Sequence, residues 1–237
     1  MSLSTFVATV EAEEKTLTVF SPRPGAVDAL RDRFGDRHLS VTEADSPHGP
    51  RNFAVLSDDD RFLAAADVDD LLADAAGDAD AAYRPILDHL PETLFTAVDR
   101  QEMLDATREI EDRAWRRARG SLYAGFQTAA NLRPQADVYR RLGSRESLAV
   151  HAYVATAEDP PPLGETTLHC ADTDELRRSW FAVYDPPADA DARGSADACA
   201  LLAEERGDGG FYGFWTYDPE MVADVVDYLR EAYADPE

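Results

Sequence analysis

Two short apolar stretches, NFAVL at 52–56 and WFAVY at 180–184, stand at the same place in two successive runs of helix, strand, helix, strand, strand and strand. That order constrains the fold more than any other feature, because each run must bury one helix stripe and several alternating strands in a shared core. In the first run, Leu3, Phe6, Val7 and Val10 have helical spacing and residues 16–20 (TLTVF) read as a strand. A helix over about 25–35 buries Val27, Leu30 and Phe34, and strands follow at 39–42, 52–56 and 61–65, with Asp67 capping a short helix. The stretch DAAGDADAA, 74–82, is poor in large apolar residues and reads as a linker.

The second run has a helix over about 100–118, a strand at 121–126 and a helix over 129–142 that Gly143 ends. Strands follow at 147–154, 166–170, 181–184, 198–203 and 211–216, the last two joined by a glycine-rich hairpin loop through Gly207 and Gly210. Asp218-Pro219-Glu220 opens a closing helix that buries Val222, Val225, Val226 and Leu229. FLAAA from Phe62 and CALLA from Cys199 correspond as well, which points to a divergent duplication. The expectation is an α/β (α+β) protein with a mixed, largely antiparallel sheet and flanking helices, built from two α-β-α-β-β-β repeats. Its boundaries are an N-terminal subdomain over 1–75, a linker over 76–99 and a second domain over 100–237.

With 23 basic against 47 acidic side chains the net charge is −24, and Lys15 is the one lysine. Such a surface repels nucleic acid and anionic lipid unless a basic stripe interrupts it. Arg113, Arg116, Arg117 and Arg119 come nearest, but Glu109, Glu111 and Asp112 share their segment, which is a mixed-charge helix. An acidic, arginine-over-lysine composition resembles that of haloarchaeal cytoplasmic proteins, in which salt screens the self-repulsion. No run of about 18 apolar residues and no signal-peptide pattern occurs, so a soluble cytoplasmic protein is expected. About 70% of the unfolded surface is buried at this length, so Cys170 and Cys199 read as small core residues rather than a disulfide or metal site.

Motifs for phosphate loops, nucleophile elbows and zinc sites are absent, and no cofactor or metal is expected. The five histidines lack metal-ligand spacing. In REIEDRAW, 108–115, a helical wheel places Glu111 beside the face of Met103, Thr107, Ile110 and Ala114. A half-buried carboxylate there needs an arginine, a tyrosine hydroxyl or backbone amides. Trp115 ends that segment. At Gly125-Phe126-Gln127 a strand gives way to a helix, where ligands of open α/β sheets gather, although Gln127 serves equally as a turn cap. In FYGFWTYDP, 211–219, alternation puts Trp215 and Tyr217 on one strand face, suited to a buried strand or an aromatic ligand pocket.

MLDATREIEDRAW, GFQ and Tyr139-Arg140-Arg141-Leu142, in this order, resemble the DICT sensory domain over roughly 101–217. With EKTLTVF, PRNFAVL, ALLAEER and FYGFWTYDP the whole chain looks like stand-alone haloarchaeal members of that family. The resemblance implies a non-catalytic sensory or relay module found beside histidine kinases and cyclic-dinucleotide enzymes, with Glu111, Gly125, Phe126 and Gln127 as matching positions. It implies a signalling partner in trans and an unidentified small ligand. Two other readings stay open: an enzyme with Glu111 as general base and Gln127 orienting substrate, and an oligomer scaffold or homodimer built through the C-terminal helix.

Overall fold

A computed structural model describes residues 1–12, 14–35, 37–47, 49, 51–59, 61–73, 86, 89–90, 92–97, 100–155, 159–187, 197–207 and 210–234. The linker expected at 74–82 lies outside these residues. The chain packs as two compact units, Thr9–Leu94 and Met1–Ala8 with Phe95–Glu237.

After α1 (Leu3–Ala12), whose residues up to Ala8 belong with the second unit, the first unit contains β1 (Lys15–Phe20), α2 (Ala26–Arg33), β2 (Leu39–Ala44), β3 (Phe53–Asp58), β4 (Arg61–Asp67) and α3 (Val68–Leu72). The sheet order is β2-β1-β3-β4. β2 lies parallel to β1, as the helical crossover demands, the longer connection over 45–52 carries the chain past β1 to β3, antiparallel to it, and the tight turn after Asp58 makes β4 antiparallel to β3. Period-two alternation buries Leu17 and Val19 on β1 and Ala54 and Leu56 on β3 against Leu30 and Phe34. Asp67 caps α3 as expected, its carboxylate accepting from the Asp69 amide at 2.8 Å.

The second unit contains β5 (Glu92–Ala97), α4 (Arg100–Arg117), β6 (Arg119–Phe126), α5 (Ala129–Leu132), α6 (Ala136–Gly143), β7 (Ser147–Val154), β8 (Thr167–Cys170), α7 (Asp174–Arg178), β9 (Ser179–Asp185), β10 (Cys199–Arg206), β11 (Gly210–Thr216) and α8 (Pro219–Ala232). Its seven strands run in the order β5-β11-β10-β9-β6-β7-β8. The helix expected over 129–142 is divided, because Pro134 lacks an amide and a 3₁₀ turn at Arg133–Gln135 separates α5 from α6. Cys199 is buried as expected, but Cys170 is exposed, because β8 is an edge strand. Central β9 is buried through six consecutive residues, Ser179 to Tyr184, the pattern of a strand covered on both faces.

On one face Leu122, Ala124, Phe126, Trp180 and Leu201 meet Met103, Ile110 and Ala114 of α4 and Tyr139 and Leu142 of α6. On the other, α8 brings Val222, Val225, Val226 and Leu229 into burial, and Arg230 donates to the Tyr123 hydroxyl at 2.9 and 2.5 Å. Glu175 on α7 ties this side together. Its carboxylate accepts the Leu3 amide at the start of α1 (2.7 Å), the Tyr228 hydroxyl (2.7 Å) and the Tyr233 hydroxyl.

Within the seven strands, β7-β6-β9-β10 repeats the connectivity and strand directions of β2-β1-β3-β4. The register agrees as well: Val19 faces Ala54 as Ala124 faces Ala182. The last strand pair fits differently from the alignment of FLAAA with CALLA. Ala64 faces Leu56 where Cys199 faces Tyr184, a two-residue shift that runs of small apolar residues conceal.

Candidate functional site

α4 presents two kinds of surface. Met103, Thr107, Ile110 and Ala114 are buried against the sheet, and Thr107 is locked by donating to the Met103 carbonyl (2.8 Å) and accepting from the Trp180 indole (3.0 Å). Next to this stripe lies Glu111, 7% exposed. Of the three partners its position calls for, the fold supplies the tyrosine: Tyr139 on α6 donates to Oε1 at 2.8 Å. Tyr139 is itself fixed from two sides. Phe126 packs edge-on against its ring, centroids 5.0 Å apart, and Thr166 donates to its carbonyl at 2.9 Å.

Beside this pair a cleft of about 260 Å³ opens between α4 and α6, lined by Glu111, Asp112, Trp115, Val138, Arg141 and Leu142. Trp115 is 40% exposed, and the Arg145 guanidinium lies 3.7 Å above its ring. Burial pushes the Glu111 carboxyl above the ordinary carboxylate value, against the opposing pull of the Tyr139 hydrogen bond and of Arg108, with Asp112 adding to the rise. Burial and the Glu111 charge together hold the Tyr139 hydroxyl well above its usual range, so it remains a donor.

The raised carboxyl has a stability consequence of definite sign. The folded state holds the Glu111 proton to higher pH than the unfolded chain, so this group's contribution is fully present below about 4.5 and is lost as pH rises through the elevated folded value. Glu111→Gln keeps a side-chain acceptor for Tyr139 and removes the titration. The expected result is a variant at least as stable as the parent at neutral pH, with its advantage shrinking toward acid. Melting curves across pH check this, and an advantage that grows toward acid would contradict it.

The other sequence candidates fall elsewhere. A methyl group on Gly125 would stand 2.5 Å from Phe181 Cδ1, within the ring's own shell, so the glycine makes room for an aromatic ring. Phe126 lies behind Tyr139 rather than in the cleft. Gln127 has a left-handed backbone (φ 62) and a fully engaged amide, donating to the Arg177 carbonyl (3.0 Å) and Glu205 (2.6 Å) and accepting from Asn131 (3.4 Å). Trp215 and Tyr217 form a tilted pair, centroids 5.9 Å apart, with Arg113 5.2 Å from the Tyr217 ring centre. The structure therefore joins Glu111 to Trp115 and separates both from the other five.

Two groups were not legible as sites. Asp112, Val138, Arg141 and Leu142 complete the cleft, and their helical spacing on two neighbouring helices is the signal that could have found them. His151 Nδ1 lies 3.0 Å from His169 Nε2 across parallel strands, with the rings stacked between Tyr123 and Tyr153. Burial, then His169 and Arg230, lower the His151 pKa to about 4. Among the described residues no group of three or more His, Cys, Asp or Glu side chains is placed to hold a metal, and no helix is long and apolar enough to cross a membrane.

Residues 84–206 match the family model described as the sensory domain in diguanylate cyclases and two-component systems, DICT. No curated protein matches the chain. Among solved structures, a polyphosphate kinase from Porphyromonas gingivalis is similar at 13% identity and a TM-score of 0.38, over 96% of this chain and 47% of that one. The chain thus spans about half the length of that enzyme, and so low a score says nothing of shared chemistry.

Proposed function

The chain belongs to the DICT family of sensory domains, and from that membership we propose that it senses a small ligand in the cleft between α4 and α6 and relays the event to a signalling protein in trans. The observation that carries this reading is Glu111: a buried carboxyl on a cleft wall, partnered by a neutral hydroxyl and, among the described residues, by no cation within ion-pair distance. A buried carboxylate in that state is costly, so a ligand that brings a cation or an N–H donor gains there what the protein lacks.

Glu111 is the anchor, the Trp115 ring the flat wall and Arg141 a second polar contact. Phe126 and Gly125 serve indirectly, by setting the position of Tyr139 and the sheet beneath it, and Gln127 holds the end of β6. Trp215 and Tyr217 belong to a separate surface. The relay is a population shift, in which the ligand favours one packing of α4 against the sheet and the exposed side of that helix reports it. The partner is a histidine kinase or regulator, and the sensing part is residues 100–237. The acidic, single-lysine surface suits the salt-rich cytoplasm of a haloarchaeon. The protein binds and does not react.

A thermal-shift series of amines, guanidines and amides in molar KCl tests this. A ligand at about a hundredfold its dissociation constant stabilises by about 2.7 kcal/mol, a rise of several degrees in Tm. The expected stabilisers act on the parent and lose their effect on Glu111→Gln and Trp115→Leu. Stabilisers acting equally on all three proteins, or a series without any, would overturn the cleft as the site.

A further inference from the structure

By sequence the carboxyl end of α4 is a mixed-charge helix, but folding sorts its charges onto different sides. Glu111 and Asp112 turn to the cleft, whereas Arg113, Arg116 and Arg117, at i, i+3 and i+4, line a separate hollow of about 370 Å³ with Asp197. Among the described residues the three guanidinium groups meet the carboxylates of Glu109 and Asp197 there. Glu109 is shared, 3.6 Å from Arg113 and 3.7 Å from Arg116, and Asp197 pairs with Arg117 at 2.5 Å. Flanking the hollow rather than lining it stands Tyr217, a residue 40% exposed, its ring centre 5.2 Å from the Arg113 guanidinium carbon.

On a chain of net charge −24 the average field repels anions, so an anion is held only where positive charge converges. Guanidinium groups are planar forks whose paired N–H donors match phosphate oxygens, and three of them offer donors from several directions. A ring face next to them suits a flat heterocycle. The volume falls in the range of small-molecule sites, about 300 to 1,000 Å³. We propose that this hollow is a second binding site, for a phosphate ester of a flat heterocycle, a mononucleotide-like anion. The phosphate displaces Glu109 and Asp197 from the arginines, and the heterocycle lies on Tyr217.

The test is calorimetric titration of the full chain with pyrophosphate and with AMP, in the lowest KCl concentration that keeps it folded. Arg116 and Arg117 have 64% and 53% of their side chains exposed, so Arg116→Gln with Arg117→Gln is expected to stay folded, with only a small fall in melting temperature from the Asp197 carboxylate that loses its partner. That double variant should lose at least about tenfold in affinity for both probes, the effect of removing charge-assisted contacts. Tyr217→Leu should weaken AMP by about fivefold or more and leave pyrophosphate unchanged, since stacking on one base is worth about 1 to 3 kcal/mol. Glu111→Gln should alter neither, which separates this site from the cleft. Absence of binding to the parent, equal binding to the double variant, or indifference of AMP to Tyr217→Leu would each overturn the proposal.

Discussion

Gly213→Ala should destabilise the protein by about 3 kcal/mol or more, the scale of severe overpacking. Gly213 pairs with Ala203 across the β10–β11 ladder. A methyl group at this position would lie inside the shell of the Leu202 carbonyl oxygen and 2.5 Å from Ala203 Cα. Both are main-chain atoms of a buried strand, so no rotamer change relieves the contact and the strands must separate. Gly207, in the turn of the same hairpin, is the control: its φ is +59° and a methyl group added there would meet nothing within 4 Å, so Gly207→Ala should cost only about 1 kcal/mol. Chemical denaturation in high KCl measures both. A Gly213→Ala variant within about 0.5 kcal/mol of the parent would show that the ladder absorbs a side chain.

Glu175→Ala should cost about 3 kcal/mol, because three donors lose one charged acceptor at once and part of each bond is recovered by water. The loss should be uneven in space. The start of α1 depends on Glu175 through the Leu3 amide, so hydrogen exchange at Thr5 to Val7 should accelerate more than exchange in β9. Glu175→Gln retains an acceptor oxygen and should lose less. Unchanged exchange in α1 together with unchanged stability would remove Glu175 from any organising role.

The elements with clear periodicity were legible in the sequence. Leu17 and Val19 alternate inward, WFAVY lies in a fully buried central strand, and Asp67 and Asp218 cap helices because a short carboxylate before an apolar run has one favourable use there. The repeated order of elements along the chain could be read from NFAVL and WFAVY, but which strands lie side by side could not, since β3 follows β2 in sequence yet pairs with β1. Glu111 was legible as a buried carboxylate from its helical periodicity, although which of three partners it would meet was not.

What escaped was non-local. Strand Glu92–Ala97 carries the apolar TLFTA yet follows low-complexity sequence, and only its place beside β11 makes it a sheet edge. Gln127 stands at a strand's carboxyl end, as ligand-binding residues do, but its amide is engaged by groups 50 and 78 residues away. His151 and His169 become neighbours through the pairing of β7 with β8, which no spacing rule for metal ligands anticipates.

The bond between the Leu3 amide and Glu175 spans 172 positions, and this has a consequence for the order in which the protein is made. A nascent chain exposes its first helix long before α7 has been synthesised, whereas the four-stranded unit draws its core from contiguous sequence and can close early. The first turn of α1 therefore stays undocked until α7 has emerged. Until then that turn is open to chaperones and proteases that the closed four-stranded unit already resists.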